Sequence, residues 1–196
     1  MKKLVSLALA AVLAVSAVGC GSSSDSSSST ADSAQSTEAA ADGATFKIGG
    51  IGPITGGAAI YGQAVMNAAQ MAVDKINADG GINGYQVEFR FEDDEHDAEK
   101  SVNAYNTLKD WGMQMLMGTV TSTPCTAVSA KTEEDNMFQL TPSGSAVESI
   151  APANAFRVCF SDPNQGTASA QYIGENKLAS KVAVIYNSSD VYSSGI

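Results

Sequence analysis

Three short stretches carry the residue types that could do chemistry in this chain. They are Gly52-Pro53-Ile54-Thr55-Gly56-Gly57 running on to Ile60-Tyr61-Gly62, then Thr121-Ser122-Thr123, then Thr141-Pro142-Ser143-Gly144-Ser145. Each follows an apolar run and opens a segment with helical spacing. The first N–H groups of a helix have no partner within it and face outward with the positive end of the dipole, so they suit an anion. A carboxylate on Ser122 and Thr123, with a carbonyl such as that of Ser143 accepting from an ammonium group, would hold a small zwitterion. The plainer alternative is that Ser122 and Ser145 only cap their own helices. The loops alone leave both readings open.

Other chemistries fit poorly. Gly50-Ile51-Gly52 opens a glycine-rich loop, but Thr55 stands where the dinucleotide fingerprint needs glycine and Pro53 removes an amide donor. The acidic residues that follow the second strand also lie too far along the chain for that motif. No G-x-S-x-G occurs, and the one histidine, His96, sits among acidic neighbours and reads as a solvated loop residue. Glu92-Asp93-Asp94 reads as a charged strand end, and one histidine with scattered carboxylates makes no zinc constellation. The chain is therefore expected not to be an enzyme and to need no cofactor or metal.

The elements that must position these loops alternate. Strands are expected over 46–51, 87–91, 113–120, 137–140, 155–160 and 182–186. Helices are expected over 64–78, 98–111, from Thr123-Pro124 to about 135, over 143–150 and over 165–177. Val65, Ala68, Ala69, Ala72, Val73 and Ile76 mark one helix face, and Val102, Tyr105 and Leu108 another, with Asp97 as its N-cap. Strands separated by helices imply right-handed βαβ units and a parallel sheet, so the fold class is α/β. In such a sheet every strand-to-helix loop lies on one edge, where ligands bind. The last predicted strand has no successor, which reads as a truncated sequence.

The N-terminus speaks of location. Lys2 and Lys3 precede an apolar run over 4–18 and then Gly19-Cys20, the pattern of an export signal. As a helix the run rises about 22 Å, short of a hydrocarbon core of roughly 30 Å. Residues 1–20 resemble a bacterial lipoprotein signal, with Cys20 as the lipid-bearing residue, although Ala17 stands where leucine is usual. Residues 21–44 are Ser-rich with no aromatic or β-branched aliphatic side chain, and read as a disordered tether spanning about 25–30 Å. Without Lys2 and Lys3, nine basic side chains face twenty-one acidic ones, a formal charge of −12. That balance argues against nucleic acid or anionic headgroups as partners.

Ordered motifs then bring a family into view. Phe46-Lys47-Ile48-Gly49, Gly52-Pro53-Ile54-Thr55-Gly56, Tyr61-Gly62, Asp79-Gly80-Gly81-Ile82-Asn83-Gly84, Glu92-Asp93-Asp94, Thr141-Pro142 and Phe156-Arg157 follow one another at compatible spacing. Together with Gly118 to Ser122 and Asp162 to Gly166 they resemble the N-terminal half of branched-chain amino acid-binding proteins of ABC transporters. The resemblance implies a periplasmic-binding-protein-like fold, with a first lobe over 45–163 and the start of a second over 164–196. It implies that Ser122 donates to the ligand carboxylate and that Ser145 adds hydroxyl and amide. The Ser143 carbonyl would meet the ammonium group, with Gly144 between them, Tyr61 as a wall and Tyr192 closing over the ligand. Ser143-Gly144-Ser145 stands where two alanines and a threonine are common.

The resemblance also implies that His96 and Thr121 occupy the places of a disulfide found in some relatives. Cys125 and Cys159 remain, as buried free thiols or as a bonded pair. The expected function is capture of an extracellular amino acid and delivery to a membrane permease by a protein lipid-anchored on the outer face of the cell membrane. The alternatives are a sensor reporting to a signalling receptor, or a structural surface domain without a pocket.

Overall fold

The computed structural model describes Gly43 and residues 45–196; the expected signal, Cys20 and nearly all of the expected tether lie outside the described residues. Among the described residues there are five strands: β1 (Thr45–Gly52), β2 (Gln86–Asp93), β3 (Met115–Gly118), β4 (Gln139–Thr141) and β5 (Ala155–Arg157). Five α-helices accompany them: α1 (Ala59–Ala78), α2 (Ala98–Asp110), α3 (Ser122–Glu134), α4 (Asp162–Glu175) and α5 (Val191–Gly195). The strands form one sheet in the order β2-β1-β3-β4-β5, parallel at every pairing. Strand order reverses between β1 and β3, and that crevice is where ligands sit in open α/β sheets. Among the described residues no helix is long and apolar enough to cross a membrane.

The core lies between the sheet and α2 and α3. Tyr105 and Leu108 of α2 pack with Ile51, Leu116 and Val128, all fully buried, and Met113 joins them. Asp97 caps α2, its carboxylate accepting from the N–H groups of Glu99 and Lys100 at 2.9 Å each. Asn77 at the end of α1 holds β2 in place, its side chain donating to the Val87 carbonyl at 2.9 Å and accepting from the Val87 N–H at 2.7 Å. A Cβ on Gly62 would lie 1.9 Å from the Pro53 carbonyl oxygen, so only glycine lets α1 start this close to the loop after β1.

Several expectations need correction. Residues 182–186 form no strand; Val184 is 79% and Ile185 99% exposed, and no described strand lies beside them. A strand needs a neighbour for its backbone groups, so apolar spacing alone does not make one. Helix α3 begins at Ser122 after Thr121 rather than at Pro124, because proline is tolerated throughout the first turn, where its missing N–H costs nothing. The helix expected over 143–150 is a single 3₁₀ turn, Val147–Ile150. β5 ends at Arg157, short of the expected 160.

The face of α3 against the sheet is polar as well as apolar. The Thr132 hydroxyl donates to Gln139 Oε1 at 2.7 Å, and Gln139 Nε2 donates to Cys125 Sγ at 3.3 Å, all three residues fully buried. Cys125 and Cys159 are free thiols. Nor is the acidic end of β2 merely solvated. Asp93 accepts from the Ile54 N–H at 2.9 Å and from the Thr55 hydroxyl, tying the loop after β1 to β2. Burial pushes the Asp93 carboxyl up, but the bonds from Thr55, Ile54 and Glu95 together hold it below its ordinary range.

Candidate functional site

A cavity of about 430 Å³ opens at the C-terminal ends of β1, β3 and β4. It is lined by Tyr61 from the start of α1, by Val120, Thr121 and Ser122 before and in α3, by Ser143 and Ser145 after β4, and by Tyr192 of α5. Five of the six expected ligand residues therefore meet in one place. The parallel sheet explains this: its strands all point the same way, so loops far apart in sequence share an edge.

Each of the five is held differently. Ser122 does not cap its own helix. Its Oγ accepts from the N–H groups of Ser145 and Ala146 at 3.2 Å each, which leaves its proton to donate. The Ser145 amide is thereby engaged within the protein, so what that residue has left for a ligand is its hydroxyl. The Ser143 hydroxyl donates to the Val120 carbonyl at 2.6 Å, so this residue offers its backbone. Tyr192 Oη exchanges hydrogen bonds with the Gln165 amide at 3.0 and 3.1 Å, linking α5 to α4. Tyr61 stands 64% exposed at the rim.

Gly144 is the exception. It lies behind the lining, its N–H donating to Thr141 Oγ1 at 2.8 Å, and a Cβ there would come within 3.0 Å of Cys125. Its part is close packing of the loop after β4 onto α3.

Among the lining residues not read from the sequence as part of the site are His96, Cys159, Phe160 and Asp190. His96 is no free loop residue. Its Nδ1 lies 2.9 Å from Thr121 Oγ1 and its Nε2 3.3 Å from Asp190 Oδ2. Parallel topology puts the loop after β2 on the same edge as the others, but it does not say which way the ring of His96 turns. Next to it, Asp94 is fully buried, with Oδ2 unpartnered and Oδ1 accepting from the His96 N–H at 2.9 Å. Burial, aided by the Asp93 charge and opposed by that bond, pushes its carboxyl up to about 6. Burial also pushes the Cys159 thiol up, against the pull of the Arg157 charge. Among the described residues no group of three or more histidines, cysteines and carboxylates is placed to hold a metal ion.

The site is thus a mixed one: aromatic rings and Val120 for an apolar body, and hydroxyls and an open helix start for a polar head. The Leu/Ile/Val-binding protein homolog 3 of Brucella melitensis is 34% identical over 151 residues, 76% of this chain and 41% of that protein. A solved branched-chain amino acid transporter substrate binding protein of Streptococcus pneumoniae, in complex with isoleucine, matches with a TM-score of 0.73 at 29% identity, covering 77% of this chain and 44% of that one. A leucine binding protein of Thermotoga maritima matches at 0.70 and 27%, covering 77% and 43%. The chain thus spans about four-tenths of the length of these relatives. A family model described as periplasmic binding protein matches residues 45–195, and by that match across most of its length the chain belongs to the periplasmic binding protein family.

Proposed function

We propose that the protein captures a free amino acid of the branched-chain type outside the cell and delivers it to an ABC permease. The observation that carries this reading is the polar head of the cavity: Ser122 with its proton free, at the uncapped start of α3, facing a wall of Tyr61, Val120, Phe160 and Tyr192. A carboxylate is matched by the first, an aliphatic side chain by the second. The isoleucine complex of the Streptococcus pneumoniae neighbour supports the ligand class, and that neighbour's description as a transporter component favours transport over sensing.

In this reading residues 45–163 are the first lobe, 164–196 begin the second, and the lobes close about a hinge near 162–166. Bound solute then selects the closed form, which the permease distinguishes by shape. Tyr192 is the first contribution of the second lobe. Cys20 carries the lipid, and residues 21–44 keep the body within reach of the permease.

Ser122→Ala removes a bond to a charged group worth about 1.5–3 kcal/mol, so isoleucine affinity measured by calorimetry on the intact protein falls roughly ten- to hundred-fold. Unchanged affinity would remove Ser122 from the site. A wild-type protein that binds no amino acid would remove the function.

A further inference from the structure

Helix α3 starts with a capping residue that does not cap it. Thr121 has the extended backbone of an N-cap, φ −112° and ψ 154°, yet its side chain makes no bond to the helix. An N-cap hydroxyl ordinarily takes the N–H of the second or third helical residue. Here the third is Pro124, which has none, so Thr123 is the single amide that Thr121 could take. The hydroxyl is instead 2.9 Å from His96 Nδ1.

His96 is built to hold it there. Its backbone is left-handed, φ +63°, as is that of Glu95 at +49°, and the carboxylates of Asp94 and Asp93 accept from these two N–H groups at 2.9 and 3.0 Å. The other ring nitrogen meets Asp190 Oδ2 at 3.3 Å, while Asp190 Oδ1 accepts from the Ser193 N–H at 2.7 Å. With the Nε2 proton given to Asp190, Nδ1 accepts the Thr121 hydroxyl.

We infer that His96 is a positioning residue of the site: by holding the Thr121 hydroxyl on its ring, it keeps the Thr123 N–H uncapped and so leaves open the helix start that Thr121 and Ser122 bring to the cavity. The identity of the ligand rests on the amino acid-binding function proposed above; the uncapping does not.

The test is amide hydrogen exchange at Thr123 in the intact, ligand-free protein, followed by isoleucine calorimetry. His96→Gly suits the left-handed backbone and releases the Thr121 hydroxyl onto the helix, so Thr123 exchange slows roughly fivefold and isoleucine affinity falls by about the same factor. Adding Thr121→Val to His96→Gly removes the intruding cap, returning exchange to the wild-type rate and recovering most of the affinity. A purely structural loss would not be recovered by a second deletion. His96→Asn, which tolerates the left-handed backbone and carries a polar atom near the Nδ1 position, keeps wild-type exchange. His96→Ala replaces the glycine variant should that one not fold.

Unchanged Thr123 exchange in His96→Gly, or an affinity loss that Thr121→Val leaves in place, overturns the inference. Unchanged exchange beside normal isoleucine binding sinks it alone. Slowed exchange in a protein that binds no amino acid sinks the proposed function and leaves the positioning role standing.

Discussion

Residues 86–93 and residues 182–186 both read as strands, each with β-branched and aromatic side chains, and they have opposite fates. The first is β2, paired with β1 along its whole length from Thr45 against Gln86 to Gly52 against Asp93. The second lies open, with Ile185 at 99% exposure. What separates them is a neighbour. β2 is an edge strand whose side chains are only partly covered, yet its backbone is satisfied; 182–186 has the side chains of a strand and no ladder. Backbone pairing decides the element, and side-chain type only makes it affordable in entropy.

The contrast can be broken at its strong end first. Leu116 of β3 is fully buried beside Tyr105 and Leu108, and Leu116→Ala is expected to cost about 2–5 kcal/mol in urea unfolding, as large-to-small changes in cores do. A cost under 1 kcal/mol would mean that the sheet is not the stability core.

The next effect is pH-dependent and sits at the end of β2. The folded protein keeps the Asp94 proton up to about pH 6, whereas the unfolded chain releases it near 3.8. Between these values the native state binds more protons, so this group makes stability fall as pH rises, by about 3 kcal/mol at most once ionisation is complete. Asp94→Asn keeps the acceptor for the His96 N–H and removes the titration. The variant should therefore gain on wild type between pH 4 and pH 7, and parallel stability curves would show that Asp94 does not titrate as a buried acid.

The smallest effect lies at the other end. Ile185→Ala in the 196-residue chain should change stability by less than about 0.5 kcal/mol, as exposed positions do. In a chain extended by a strand that pairs with 182–186, the same change should approach the cost at Leu116. Equal small effects in both chains would show that 182–186 is a loop by nature.

Much of the site could be read early, for a physical reason. Hydroxyl-rich loops after successive parallel strands must share an edge, so Tyr61, Ser122, Ser143 and Ser145 were legible as one group before any coordinate. His96 was not, because a histidine among acidic residues looks the same whether it faces water or a threonine across the cavity. Gly144 is a different case: its place in the motif suggested ligand contact, and the fold sets it behind the cavity lining, where a Cβ would crowd Cys125. The Thr132–Gln139–Cys125 network was equally invisible, since polar residues on a helix read as its wet face.

By itself the sequence determined the alternation of strands and helices, the parallel sense of the sheet and the edge on which a ligand would sit, because these follow from periodicity, turn residues and the handedness of crossovers. Tertiary structure alone decided the strand order that puts the crevice between β1 and β3, the absence of a strand at 182–186, and the capture of the Thr121 hydroxyl by His96. Each of those depends on which groups, distant along the chain, come within about 3 Å of one another, a distance that local sequence does not encode.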